Sequence, residues 1–411
     1  MRVAMLSYHT CPLAALGGKD TGGMNVYVRE LTRKLGRLGI QVDVYTRSQD
    51  EHAPHISHDL GYGNRVIHIA AGPEVPLPKQ ELAAHIPTFG QEIISFAKKK
   101  DFKYDLIHSH YWMSGLAAKA LKEAWDIPVV HMFHTLGLMK QRIARSTQET
   151  EGEYRLQGER DVITIAECLV AATQAELAQL QWLYEVDDHK ISVIPPGVDT
   201  SHFYPIPADE AKEFIGVPIE DRMLLFVGRI EPLKGIDTLI RAIAIMRENG
   251  LLDCKHLCMS IIGGDPQANP DTMTDEMARL QALREEHGLG DFVTFLGRRE
   301  QDTLPYYYSA AEAVIMPSHY ESFGMVALEA MSCGTPVVAS LVGGLAFLVQ
   351  DGVTGFHFPV GDAESLSGYL ATLIDDRVTH ERMSRQAAAV ASDYAWEKIA
   401  ARIAELYEKI L

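Results

Sequence analysis

The chain lacks most of the features that settle a function quickly. No apolar run approaches the roughly 18 residues of a membrane span, and Met1-Arg2-Val3-Ala4-Met5-Leu6 enters a strand pattern without a small-residue cleavage site. Neither a membrane anchor nor a secretory leader is therefore expected. The five cysteines (Cys11, Cys168, Cys254, Cys258 and Cys333) are odd in number, scattered and free of any Cys-x-x-Cys pair. That usage fits reduced thiols in a cytoplasmic protein rather than a disulfide frame or a zinc site. Positive charge is scarce: 38 Lys and Arg against 55 Asp and Glu give a net charge of −17, which argues against nucleic acid or an anionic membrane as the main partner. No Gly-x-x-x-x-Gly-Lys-Ser/Thr is present, nor a Gly-x-Gly-x-x-Gly with a following acid, so a P-loop and a nicotinamide fold are poorly supported. No Gly-x-Ser-x-Gly elbow occurs, and Cys11 and Cys333 have no evident base, which leaves covalent acyl chemistry without a nucleophile.

What is present is length and alternation. With 411 residues, two or three domains are expected, and β-branched runs alternate with helical patterns almost from end to end, the pattern of parallel α/β sheets. Strands read at Val3 to Tyr8, Val42 to Thr46, Val66 to Ala70, Asp105 to His110, Val129 to Phe133, Leu169 to Thr173 and Ile191 to Ile194. Helices fall between them at Met24 to Leu38, Lys79 to Lys99, Ser114 to Ala124, Glu151 to Glu167 and Gln174 to Leu183. Pro195-Pro196-Gly197, Pro205, Pro207 and Pro218 then interrupt regular structure. A second alternating set begins with Met223 to Val227, Leu257 to Ile262, Phe292 to Phe295, Ala313 to Met316, Pro336 to Ser340 and Phe356 to Pro359. The expectation is two doubly wound Rossmann-like domains, 1–200 and 201–391, facing across a cleft, with a C-terminal helical tail, 392–411, that packs back on the first. Ligands of such sheets bind at the carboxyl ends of strands.

Several motifs fall at those ends. Glu321-Ser322-Phe323-Gly324-Met325-Val326-Ala327-Leu328-Glu329 runs from a strand-to-helix loop into a helix, where first-turn N–H groups can receive an anion. Glu321 on the loop and Glu329 on the helix suit hydroxyls flanking a phosphate. Gly228-Arg229-Ile230-Glu231-Pro232-Leu233-Lys234-Gly235 follows the first strand of the second half, and its Arg and Lys suit a diphosphate whose charge grows on leaving. Gly22-Gly23 would let a backbone approach a phosphate. His134 and Thr135 end one strand, and His108 to Tyr111 another. The His108-x-His110 pair shares a strand face but has no third ligand of suitable spacing. Asp265, Asn269 and Asp271 lie among prolines without the spaced Glu of a calcium loop and read as a loop. No metal is expected. Lys79, Tyr111, Thr135 and Arg155 are scattered donors near the presumed cleft edge.

Taken together, Gly22-Gly23-Met24-Asn25-Val26-Tyr27, Gly228-Arg229 with Lys234-Gly235, and the two-glutamate run Glu321 to Glu329 resemble retaining glycosyltransferases of family 4, which have the GT-B fold. The resemblance spans nearly the whole chain. It implies that Arg229 and Lys234 neutralise a nucleotide diphosphate, Glu321 contacts donor-sugar hydroxyls and Glu329 holds the ribose. It further implies that Gly23, Phe323, Gly324 and Met325 border the donor, His134 lies near the sugar 6-position and Arg298 near the base. Within the family, Gly22 to Val28, Leu106 to Trp112 and His134-Thr135-Leu136 look most like D-inositol 3-phosphate glycosyltransferases. Those hold an acceptor phosphate with residues that fall on Lys79, Tyr111, Thr135 and Arg155, with Asn25 beside them. Leu136-Gly137 with Lys140 is more similar to bacterial sucrose-phosphate synthases.

The resulting expectation is a metal-independent, retaining hexosyltransferase that moves glucose or N-acetylglucosamine from a UDP-sugar to a small phosphorylated acceptor, with His134, Arg229, Lys234 and Glu321 at the chemistry. It needs no cofactor beyond the donor itself, and homodimerisation stays open. Sucrose-phosphate synthesis, a sugar-nucleotide-binding protein without transferase activity, and a hydrolysing epimerase are the alternatives.

Overall fold

The structure, a computed structural model, describes residues 1–14, 22–144, 152–252, 256–268 and 273–411. Cys254, Asn269, Asp271 and the expected helix start at Glu151 lie outside them. The chain divides into two units, Met1–Pro196 with Trp396–Leu411, and Gly197–Ala395. The first boundary thus falls before residue 200 and the second at 395 rather than 391. The reason is local: Val198 bridges Ala395, the Val198 N–H donates to the Tyr394 carbonyl at 2.9 Å, and the Tyr394 ring packs 6.1 Å from that of Phe323.

Unit 1 carries β1 (Arg2–Leu6), β2 (Gln41–Arg47), β3 (Ile56–Ser57), β4 (Arg65–Ile69), β5 (Leu106–His110), β6 (Val129–Met132), β7 (Cys168–Ala171) and β8 (Ile191–Val193). Their order is β3-β4-β2-β1-β5-β6-β7-β8, parallel throughout except where β3 runs against β4. Unit 2 carries β9 (Arg222–Val227), β10 (Leu257–Ile262), β11 (Val293–Gly297), β12 (Ala311–Met316), β13 (Val337–Ser340) and β14 (Gly355–Phe358). Their order is β11-β10-β9-β12-β13-β14. Strands buried on both faces read as continuous apolar runs, as in β9, whose Leu224 and Phe226 join Ile236, Leu239 and Ile243 of the following helix in the core. In unit 1, Ala4, Leu6, Ile107 and Val129 meet Phe89, Ala117 and Leu121 in the same way.

Each order reverses once, between β1 and β5 in unit 1 and between β9 and β12 in unit 2. Such switch points open a crevice at the strands' carboxyl ends. The helix expected over Lys79 to Lys99 is broken into Lys79–Leu82, a 3-10 turn Ala83–His85, and Ile86–Lys100. Pro87 explains the break, since it cannot donate back to the preceding turn and suits a helix start. Among the described residues no helix is long and apolar enough to cross a membrane.

The tail helix Trp396–Ile410 belongs to unit 1. Trp396 is buried and its ring lies 5.4 Å from that of Tyr27. Lys34 Nζ meets Glu397 Oε1 at 2.6 Å, Arg402 donates to the Val193 carbonyl at 2.7 Å, and the Tyr407 hydroxyl pairs with His108 Nδ1 at 2.6 Å.

Candidate active site

In unit 2 the switch point brings together two loops far apart in sequence. The loop after β9 carries Gly228 to Gly235, and the loop after β12 carries Glu321 to Gly324. Lys234 Nζ lies 2.5 Å from Glu321 Oε2, and the His319 N–H donates to the Leu233 carbonyl at 2.8 Å. The approach requires glycine at 235: its φ is 63°, and a Cβ there would stand 2.0 Å from the Pro317 carbonyl oxygen. Arg229 is exposed and pairs with Glu231 at 2.9 Å, so its guanidinium has a carboxylate partner of its own. Phe323 is buried, and Gly324, with φ 105°, opens the helix Met325–Ser332.

Glu329, on that helix, is buried and accepts from the Tyr308 hydroxyl at 2.8 Å. Burial pushes its carboxyl up to about 7, against the opposing pull of the Tyr308 bond. Glu329 therefore does not face solvent. Arg298 follows β11 at the sheet's outer edge, two strands from β9, and is exposed.

In unit 1 two neighbouring strands end on strained residues. Tyr111, after β5, has φ 72° and ψ 149°; His134, shortly after β6, has φ 61°. Bulky residues adopt such angles at about 1–3 kcal/mol each, and do so where surrounding contacts enforce them. The Tyr111 N–H donates to the Met132 carbonyl at 2.9 Å, and His134 Nε2 pairs with His110 Nδ1 at 3.1 Å. Burial depresses His108 and His134 to about 3 and holds His110 and His131 well below the usual histidine range. All four rings are accordingly neutral near pH 7. His108 and His110 each give one nitrogen to such a bond, to Tyr407 and His134, and among the described residues no group of three or more metal-ligating side chains is assembled.

The four scattered donors converge. Arg155, on the helix Glu153–Ile165, donates from Nη1 to the Tyr111 hydroxyl at 3.2 Å, and from Nη2 to the Thr135 carbonyl at 2.9 Å and Thr135 Oγ1 at 3.1 Å. Its guanidinium carbon stands 5.1 Å from the Tyr111 ring centre, and Lys79 Nζ stands 5.9 Å from the same centre. Asn25 bonds to the turn before its own helix. It is buried, its amide donates to Thr10 Oγ1 and to the Cys11 carbonyl, both at 2.7 Å, and its oxygen accepts from the Gly22 N–H at 2.9 Å. It braces the turn that presents Gly23, the first residue of the helix Gly23–Arg37.

Sequence reasoning missed Glu159, Tyr184, Tyr308 and Arg47. The spacing Arg155-x-x-x-Glu159 is a readable one-turn ion pair, but it occurs on many solvated helices. Arg47, fully buried, donates to the Pro73 and Val75 carbonyls at 2.8 Å each and anchors the loop leading to Lys79.

Comparison with known proteins matches residues 21–202 to the model described as Glycosyltransferase Family 4 and residues 208–390 to that described as Glycosyl transferases group 1. The D-inositol 3-phosphate glycosyltransferase of Acidothermus cellulolyticus is 39% identical over 100% of this chain and 90% of its own length. That of Corynebacterium glutamicum is 37% identical, with 99% and 96% covered. Among solved structures, sucrose-phosphate synthase from Thermosynechococcus elongatus superposes with a TM-score of 0.88 at 32% identity, covering 99% of this chain and 98% of that one. Anabaena HepE in complex with UDP and glucose shares the fold, with a TM-score of 0.74 at 22% identity and 99% of each chain covered.

Proposed function

Since the chain belongs to the group 1 and family 4 glycosyltransferases, with the GT-B fold and a hexosyltransferase activity, we propose that it transfers glucose or N-acetylglucosamine from a UDP-sugar to a hydroxyl of a small phosphorylated acceptor of the inositol phosphate type, with retention. The observation that carries this reading is the meeting of Arg155, Tyr111, Thr135 and Lys79, drawn from four separate segments of unit 1, around one tyrosine ring. A guanidinium fork with an ammonium and hydroxyls beside it is a phosphate-binding chemistry. A UDP donor is consistent with the UDP-bound HepE structure, and the relatives' names supply the acceptor class.

Unit 2 supplies the leaving-group electrostatics. Lys234 and Arg229 neutralise the diphosphate as the bond from the anomeric carbon to the phosphate oxygen breaks. The acceptor hydroxyl attacks the same face, and its proton passes to the departing phosphate oxygen. Glu321 is held by Lys234 and is assigned to donor-sugar hydroxyls, so a second displacement through a carboxylate nucleophile has no obvious agent. Glu329, set by Tyr308, takes the ribose hydroxyls. Sucrose-phosphate synthesis is the second reading, favoured by the likeness to the Thermosynechococcus elongatus enzyme.

The test is UDP release by purified protein in EDTA, crossing UDP-glucose and UDP-N-acetylglucosamine with D-inositol 3-phosphate, fructose 6-phosphate and their unphosphorylated forms. Turnover confined to one phosphorylated acceptor is expected and names both substrates. Equal turnover without the phosphate overturns the reading, and UDP binding with no turnover supports a binding protein.

A further inference from the structure

We infer that Glu159, seated against Gly137, is the positioning residue that sets the acceptor-phosphate pocket by locking the Arg155 guanidinium. This rests on the reading above that Arg155 meets the acceptor phosphate.

Glu159 is 0% exposed and Arg155 3% exposed, so neither is a solvated surface charge. Arg155 Nε donates to Glu159 Oε1 at 2.8 Å. With Nε fixed, the planar guanidinium has one orientation, and its two outer nitrogens face Tyr111 and Thr135. Glu159 itself is held from two further directions. The Gly137 N–H donates to Oε1 at 2.9 Å and to Oε2 at 3.1 Å, and the Tyr184 hydroxyl donates to Oε2. Tyr184 Oη in turn accepts from the Leu138 N–H at 3.1 Å. One carboxylate therefore joins the helix Glu153–Ile165, the helix Gln174–Tyr184 and the segment Thr135 to Leu138, which contributes Thr135 to the pocket.

Residue 137 is where this arrangement is narrowest. A Cβ on Gly137 would stand 2.8 Å from Leu156 Cδ2, 2.9 Å from Glu159 Oε2 and 3.2 Å from Arg155 Nε. Any side chain there must displace the Leu156 methyl and the Glu159 carboxylate that holds Arg155. Glycine at 137 is thus a spatial requirement of the latch and not a turn requirement.

A latch that acts by position and one that merely neutralises a buried charge respond differently to substitution. In Glu159→Gln the amide oxygen can occupy the Oε1 place and keep the Arg155 and Gly137 donors there, while the NH2 donates to Tyr184 Oη, which turns its own hydrogen away. The charge and the Tyr184 donor are lost, and the bond that orients Arg155 is kept. The experiment measures KM and kcat for the phosphorylated acceptor and for UDP-sugar in the wild type, Glu159→Gln, Glu159→Ala, Gly137→Ala and Tyr184→Phe. Acceptor KM is expected to rise about 10-fold or more in Glu159→Ala and Gly137→Ala, and about threefold in Tyr184→Phe, with donor KM unmoved. Glu159→Gln is expected to stay within about threefold of wild type. Should Glu159→Ala not fold, Gly137→Ala and Tyr184→Phe carry the test. An unchanged acceptor KM in Gly137→Ala, or a Gln variant as impaired as the Ala variant, overturns the inference while the phosphate preference of the wild type stands. A wild type that treats phosphorylated and unphosphorylated acceptors alike overturns the phosphate reading, and this inference with it.

Discussion

Lys234 Nζ and Glu321 Oε2, 87 residues apart in sequence, stand 2.5 Å apart because β9 and β12 are neighbours in the sheet. The pair fixes the cation in place, and on the proposed reading that preorganised charge meets the departing diphosphate. Lys234→Met should therefore lower kcat by about 100- to 1000-fold, equivalent to about 2.7–4 kcal/mol, with the fold intact by circular dichroism. A folded variant with near-normal turnover would refute the assignment. Glu321→Gln removes an anion from the diphosphate's surroundings, so UDP should bind up to about fivefold tighter by calorimetry while transfer falls.

Glu329 has its carboxyl raised to about 7 by burial. The ionised form is the stronger acceptor for ribose hydroxyls. Affinity for UDP-glucose, whose diphosphate is fully ionised throughout this range, should rise as pH increases from 6 to 8. Glu329→Gln should bind more weakly and without that dependence. A pH-independent wild type would remove Glu329 from the ribose contact.

The neutral histidines predict how unit 1 responds to acid. His108 and His134 titrate near 3 when folded and near 6.5 when unfolded. Between those values the unfolded chain binds more protons, so their contribution is complete above about 6.5 and is lost as pH falls toward 3. Glu176, raised to about 7 by burial, acts in the opposite sense: stability falls as pH climbs from about 4.5 to 7. With five depressed rings (His68, His108, His110, His131 and His134) against one raised carboxyl, unit 1 should gain stability from pH 3 to 6.5. All four tryptophans (Trp112, Trp125, Trp182, Trp396) belong to unit 1, so urea unfolding followed by their fluorescence reports on it selectively. In His108→Gln the slope should be shallower by about one proton, or about 1.4 kcal/mol per pH unit.

Trp396→Ala should destabilise unit 1 by about 3–5 kcal/mol through loss of a buried indole. The same fluorescence, from the three remaining tryptophans, would show an earlier transition. An unchanged midpoint would mean that the tail helix contributes little to the unit.

Most of the sheet was legible because strands buried on both faces are written as apolar runs. The exception, β3, has two residues, Ile56 and Ser57, too few for any periodicity. Of the site, Glu321, Lys234 and Gly23 could be placed at strand ends from local pattern alone. Lys79, Tyr111, Thr135 and Arg155 had no spacing signal and became visible only through family resemblance, since their meeting depends on β5 and β6 lying side by side. Nothing local marks Tyr111 or His134 as left-handed, because that strain is enforced from outside their own segments. Glu159 and Tyr308 look like ordinary surface and core residues until packing shows which side chains they hold. Nor does any local pattern show that Asn25 bonds to Thr10, Cys11 and Gly22, since Thr10 and Cys11 lie well before it in the chain.

The connectivity of unit 1 sets an order on its assembly. Its sheet is encoded before Gly197, yet Trp396 and Tyr407 are translated only after the whole of unit 2. A nascent chain on the ribosome can therefore finish unit 2 while unit 1 still exposes the face of Tyr27 and His108, and any chaperone that shields that face has its window in that interval.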